Sequence, residues 1–174
     1  MVWMSFGSQF KIQNLEYKIL NLSLLDGLSA AARENPRRRA NHNIHLDYTE
    51  PCQRLLNAVE PGTYIRPHRH LTPLKPESFI ALRGTMAAII FGEEGEILAA
   101  TRLQAGGETF GIDIPGGVWH TVVALESGSV FFETKPGPYE PLSDKDWAPW
   151  APAEGAAEAE GYLEKLVKTI FSHA

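Results

Sequence analysis

Gly62-Thr63-Tyr64-Ile65-Arg66-Pro67-His68-Arg69-His70 runs on through Glu77 to Gly84, and Pro115-Gly116-Gly117-Val118-Trp119-His120 follows. Three histidines and one glutamate fall within these two Gly/Pro-punctuated segments. Successive side chains of a β-strand alternate between faces, so His68 and His70 point the same way and both offer a neutral imidazole to one ion. With Glu77 and His120 they form a borderline-hard donor set, suited to a divalent transition metal (Fe, Mn, Ni, Co or Zn) rather than Ca or Mg. A lone H-x-H pair on a surface strand is commonly solvated. Here bounding glycines, an internal carboxylate and a third histidine after a P-x-G turn favour a metal site over a histidine cluster that binds nothing.

Outward from these segments the chain reads as short strand-like runs at 53–59, 64–70, 77–82, 86–91, 97–103, 109–114, 120–125 and 130–135. Pro61-Gly62, Gly92-Glu93-Glu94-Gly95, Gly106-Gly107, Pro115-Gly116-Gly117 and Glu126-Ser127-Gly128 supply the turn chemistry between them. Strands at this spacing imply a mainly β fold, an antiparallel sandwich or barrel of the jelly-roll kind. Ser23-Leu24-Leu25-Asp26 has the form of a capping box, and Leu24, Leu25, Leu28, Ala31 and Ala32 follow at helical spacing up to Asn35-Pro36. A second apolar helical stripe, Tyr162, Leu163, Leu166, Val167, Ile170 and Phe171, marks a helix over 158–172 that packs on the domain or on a second subunit.

A chain of 174 residues with no low-complexity linker fits one domain, with a core barrel over 53–135, an N-terminal arm and helix over 1–52 and a C-terminal extension and helix over 136–174. The net charge of −5 argues against a nucleic-acid partner, and Arg37-Arg38-Arg39 is too short a basic run to reverse that. Cys52 is the only cysteine, which excludes an internal disulfide and fits a reducing cytoplasm. The longest apolar run, Met86 to Phe91, is the length of a buried strand rather than a membrane span. Met1 to Phe10 lacks the basic and apolar regions of a secretory signal, so a cytoplasmic location without membrane attachment is expected.

The first segment matches the G-x5-H-x-H-x3/4-E-x6-G pattern of the cupin superfamily except for its spacer, and the second matches the P-x-G-x2-H heart of the second cupin motif. Over residues 23–150 the strings RRRANHNIH, QRLLNAVEPGTYIRPHRH, ESFIALRG, IPGGVWHTVVALE, VFFETKPGPY and DKDWAPWAP resemble the WbuC-type cupin-fold metalloproteins. That group is often encoded with surface-polysaccharide genes. The resemblance implies a double-stranded β-helix in which His68, His70, Glu77 and His120 bind one metal, and it implies a homodimer. Two departures stand out: six residues separate His70 from Glu77, and Ala124 occupies the place of the expected Asn. Pro73 and Pro76 make the longer spacer an enlarged loop; were it to carry Glu77 away, a three-histidine site would remain.

Strand parity extends the site to Tyr64 and Arg66, which share a face with His68 and His70 if that strand is regular. Arg66 would bind an anionic or polyhydroxylated substrate, or else pair with an internal carboxylate such as Asp113 or Glu133. Asn43 and His45 could close the cavity from the N-terminal arm. Tyr64, Arg66 and His45 are the candidate catalytic groups; Asn43, Gln53, Asn57, Arg83 and Lys135 are candidate substrate-binding groups. Either Phe131, Glu133 and Lys135 or Val130, Phe132 and Thr134 face inward, and the pattern does not choose between them. Trp119 points away from His120, into the core.

Three function classes fit. One is a metal-dependent enzyme acting on a small sugar or sugar nucleotide by isomerase- or epimerase-like Lewis-acid chemistry in polysaccharide metabolism. A second is a non-catalytic module that binds a carbohydrate or organic anion through the metal, and a third is an Fe(II) dioxygenase. A metal that only stabilises the fold is a weaker fourth reading. The expected partner is a small molecule.

Overall fold

A computed structural model describes residues 10–12, 15–140 and 145–172; all of Met1 to Phe10 but Phe10 itself, together with Asp144, lies outside them. The elements in chain order are β1 (Phe10–Ile12), β2 (Leu15–Tyr17), α1 (Leu22–Glu34), β3 (Arg39–Asn43), β4 (Cys52–Val59), β5 (His68–Arg69) and β6 (Glu77–Arg83). They continue with β7 (Thr85–Phe91), β8 (Ile97–Gln104), β9 (Gly111–Ile114), β10 (Trp119–Ala124), β11 (Ser129–Pro136), β12 (Asp146–Trp147) and α2 (Ala159–Ser172). Two five-stranded antiparallel sheets result, ordered β12-β5-β10-β7-β8 and β3-β4-β11-β6-β9, with β1 and β2 paired separately. This is the cupin jelly roll expected from the sequence, carrying a helix near each end of the chain.

The strand pattern explains the layers. Alternate residues of each strand face opposite sides, so Met86 and Ala88 of β7 join Val59, Phe79, Leu103, Val122 and Phe131 between the sheets. Ala87, Ile89 and Phe91 face the other way, against Leu163, Leu166 and Ile170 of α2. The run from Met86 to Phe91 is therefore apolar throughout because both of its faces are covered. On the far sheet Leu56, Ala58 and Val130 face outward against Leu25, Leu28 and Ala32 of α1.

Helix α1 begins earlier than its capping-box reading. Asn21 is the N-cap, and its side chain accepts from the Leu24 N–H at 3.0 Å. Four strands, β1, β2, β3 and β12, have no counterpart in the sequence reading. β3 is a polar edge strand paired with β4 at Ala40↔Ala58 and Asn41↔Asn57, and β12 is only two residues long, with Trp147 opposite His68.

The largest departure is the strand expected over 64–70, of which only His68 and Arg69 pair. Pro67 has no N–H to give a ladder. The carbonyls before His68 accept irregular cross-links instead: Thr121 Oγ1 donates to Ile65 O at 2.6 Å, Arg39 Nη1 to Tyr64 O at 2.7 Å, and the Ala148 N–H to Pro67 O at 2.9 Å.

Candidate metal centre

His68 and His120 lie opposite each other on paired strands, and Glu77 opens β6 in the facing sheet. The turn before His120 is tied to the end of the first segment, because the Gly117 N–H donates to His70 O at 2.9 Å. Gly117 holds φ at +82°, a left-handed conformation that a side chain would resist. The six-residue spacer folds back on itself through a bridge between Leu71 and Leu74 and returns Glu77 to the histidines. His70 Nε2 lies 2.9 Å from Glu77 Oε1 and His120 Nε2 lies 3.0 Å from Glu77 Oε2. One donor atom from each of His68, His70, Glu77 and His120 falls within 4.8 Å of the others, and all four residues are buried.

This donor set fits a transition-metal ion. His120 Nδ1 is 2.9 Å from Val118 O and His68 Nδ1 is 3.1 Å from Arg66 O. A carbonyl only accepts, so each Nδ1 carries the proton and each neutral ring turns the lone pair of Nε2 inward. For His120 that lone pair faces a carboxylate oxygen, an arrangement stabilised by a cation between them. Separations near 3.0 Å are those of neighbouring ligands on one ion with bonds of about 2.1 Å.

Electrostatics keep two of the donors, His68 and Glu77, in their ligating forms. Burial holds the His68 imidazole well below its ordinary value of 6.5, aided by the charge of Lys145. Burial acts to raise the Glu77 carboxyl, but the opposing effects, led by the ammonium of Lys135, outweigh it and hold the group well below 4.5. In both cases the unfolded chain takes up a proton that the folded chain refuses. The metal-free protein is therefore expected to lose stability as the pH falls below 6.5 and again below 4.5. Urea unfolding from pH 8 downward measures this, and His68→Gln should remove the first of the two losses.

The cluster opens into a cavity of ≈640 Å³, bounded by the inner face of β3, β4 and β11. His68, Glu77 and His120 form part of its lining. Among the expected pocket residues Asn43, His45, Gln53, Asn57 and Lys135 also line it, whereas Tyr64, Arg66 and Arg83 do not.

His45 is 5% exposed, and its Nδ1 lies 2.9 Å from Arg54 O and 3.1 Å from the Arg54 N–H, contacts that fit either neutral tautomer. Nε2 is buried and has no hydrogen-bond partner. Asn43 Oδ1 accepts from Asn41 at 3.0 Å. Gln53 holds the adjoining loop by donating to Glu50 O at 2.8 Å, and Asn57 donates to Glu133 at 2.7 Å. On β11 it is Phe131, Glu133 and Lys135 that face inward.

The three exceptions have structural causes. Parity fails at Tyr64 and Arg66 because residues 63–67 are not a strand. The Tyr64 hydroxyl donates to Pro152 O at 2.8 Å beside Tyr162, and burial raises it above the usual phenol range. Arg66 donates to Ala148 O at 2.6 Å and forms neither of the carboxylate pairs considered above. In β6 the register slips between Ala81 and Arg83, a bulge that reverses the facing of the last residue. Arg83 consequently reaches Asp26 of α1 at 2.7 Å.

Trp119 is buried on the α2 side, stacked under Arg69 at 4.1 Å and donating to Glu93 at 3.1 Å. Tyr48, Tyr139, Lys145 and Trp147 line the cavity without having been picked out from the sequence. Tyr48 and Tyr139 stack edge to face at 5.1 Å, and Trp147 packs on His68 at 5.6 Å. The available signal was an aromatic residue in each of two polar connections, which strand periodicity does not reach.

A family model described as a domain of unknown function (DUF6016) matches residues 20–103. No curated protein matches the chain. Oxalate decarboxylase from Bacillus subtilis, an enzyme with Mn(II) centres, is similar at 18% identity and a TM-score of 0.48, over 63% of this chain and 27% of that one. KdgF from Halomonas sp. is similar at 18% identity and a TM-score of 0.47, over 62% of this chain and 84% of that one. CapF bound to 3-isopropenyl-tropolone gives 19% identity and a TM-score of 0.49 over 62% and 34%. The chain thus spans about a quarter of the decarboxylase it matches. Among the described residues no helix is long and apolar enough to cross a membrane.

Proposed function

We propose that this protein is a metal-dependent cupin acting on a small polyhydroxylated molecule, a sugar or sugar-nucleotide-like substrate, by isomerase- or epimerase-like chemistry. The observation that carries this reading is a buried three-histidine, one-glutamate cluster opening into a ≈640 Å³ cavity walled by amides and tyrosines. Cavities of a few hundred cubic ångströms suit single small ligands. A bound divalent ion would supply Lewis-acid polarisation of a carbonyl or hydroxyl oxygen. His68, His70, Glu77 and His120 would hold it. The unpartnered Nε2 of His45 can exchange a hydrogen bond with a ligand hydroxyl, Tyr48 and Tyr139 offer faces to the apolar side of a sugar ring, and Asn43 and Asn57 border the same space. The resemblance to WbuC-type proteins supports a setting in surface-polysaccharide metabolism.

A non-catalytic binding module is the second reading, and one observation favours it. Of the three groups expected to move protons, Tyr64 and Arg66 are turned away, leaving His45 at the cavity. Metal analysis of protein purified without chelators, followed by incubation with aldoses, ketoses and sugar nucleotides in D2O, separates the two. Metal-dependent deuterium incorporation supports the isomerase, and saturable binding without incorporation supports the module. Metal-dependent oxygen uptake would move the assignment to an oxygenase, and protein that neither carries nor takes up a transition metal would refute the reading.

A further inference from the structure

Glu77 does not meet the histidines as a free carboxylate. Its Oε1 lies 2.9 Å from Lys135 Nζ as well as 2.9 Å from His70 Nε2, while Oε2 faces His120. Thr134 pairs with Ser78 across β11 and β6, so Lys135 and Glu77 are the next residues in the same register. Lys135 is 7% exposed and its ammonium also lies 3.2 Å from Glu133 Oε1, whose other oxygen accepts from Asn57 at 2.7 Å. An ammonium is costly to bury unless carboxylates offset it. Two of them do so here, Glu77 from β6 and Glu133 from β11 itself, and Asn57 of the neighbouring β4 holds the second.

We infer that Lys135 is a positioning residue that holds Glu77 by Oε1 and sets the charge of the metal centre, so that the loaded site takes an anionic oxygen ligand. The inference rests on the metal reading above. With neutral imidazoles, the carboxylates of Glu77 and Glu133 less the ammonium of Lys135 leave the cavity floor one net negative charge instead of two. A divalent ion therefore leaves one positive charge over. A substrate carboxylate or deprotonated hydroxyl would neutralise it, which points to sugar acids or ionisable polyols ahead of neutral sugars.

The lysine weakens the ion's hold by repulsion, and Glu133 strengthens it. Isothermal titration of metal-stripped protein with Zn(II) tests both signs. Lys135→Met should tighten Zn(II) binding by about tenfold or more, and Glu133→Gln should weaken it by about tenfold. Lys135→Arg should stay within about threefold of wild type, because the charge is kept. A purely structural lysine would make Lys135→Met weaker, not tighter. Unchanged or weaker binding by folded Lys135→Met, or unchanged binding by Glu133→Gln, overturns the assignment. If Lys135→Met does not fold, Glu133→Gln and Lys135→Arg still decide it. Wild-type protein that takes up no Zn(II) overturns the metal reading as well, whereas wild-type uptake without these shifts overturns only the role of Lys135.

Discussion

Replacing His120 by Ala is expected to lower the affinity for a divalent transition ion by more than about 100-fold, since losing even an outer partner of a metal ligand costs about 10–100-fold. His120 sits at the centre of the cluster. It lies on β10, which pairs with β5 on one side and β7 on the other, so the backbone that carries it is held by ladders from both edges. Its ring centroid is 4.6 Å from that of His68, and its Nε2 is 3.0 Å from Glu77. The substitution removes the donor and leaves Glu77 Oε2 facing a gap. Equilibrium dialysis against Zn(II) or Mn(II) measures the loss, and the rise in melting temperature on adding metal should vanish with it. His42→Ala is the control, because β3 turns Asn41 and Asn43 to the cavity and His42 to the other side. Undiminished affinity in folded His120→Ala would remove this histidine from the metal centre.

How much could be read from residues alone depended on whether a local rule survived its surroundings. The spacing of His68, His70 and Glu77 and the P-x-G turn before His120 pointed to the four donors that the fold brings together, with His70 one residue beyond β5, because close spacing and glycine turns act locally. Both amphipathic helices were readable from their stripes for the same reason. Tyr64 and Arg66 were misplaced because alternation holds only within a hydrogen-bonded ladder, and Pro67 lies where that ladder ends. Arg83 was misplaced by a single bulge, which changes the facing of a residue without altering composition. β11 presents a phenylalanine in each alternation, so only the outer packing of Val130 and Phe132 against α1 decides that Glu133 and Lys135 turn inward. β3 and β12 carry no apolar alternation because one is a polar edge and the other too short.

The cavity wall opposite the histidines is expected to fail at one glycine. A Cβ on Gly137 would lie 1.8 Å from Glu50 O and 3.0 Å from Gln53 Nε2, so Gly137→Ala forces backbone against backbone. No rotamer relieves that contact. The segment is zipped closely: the Gly137 N–H donates to Pro51 O at 2.9 Å, and the Tyr139 N–H to Tyr48 O at 2.8 Å. Gln53 completes it from within, being 2% exposed and bonded to Glu50 O. Overpacking of this kind costs about 1–3 kcal/mol, and the upper end applies where the obstacle is a carbonyl rather than a flexible side chain. Gly161 gives the contrast, since it lies inside α2 with nothing within 4 Å of an added Cβ. Gly161→Ala should therefore raise stability by about 0.5–1 kcal/mol through helix propensity alone. Urea midpoints of the two variants should move in opposite directions. The metal donors lie on other elements, so Gly137→Ala should keep its Zn(II) affinity while the pairing of Tyr48 with Tyr139 loosens and near-ultraviolet circular dichroism changes. A Gly137→Ala protein as stable as wild type would show that the loop over 46–51 yields freely and does not form a fixed wall of the cavity.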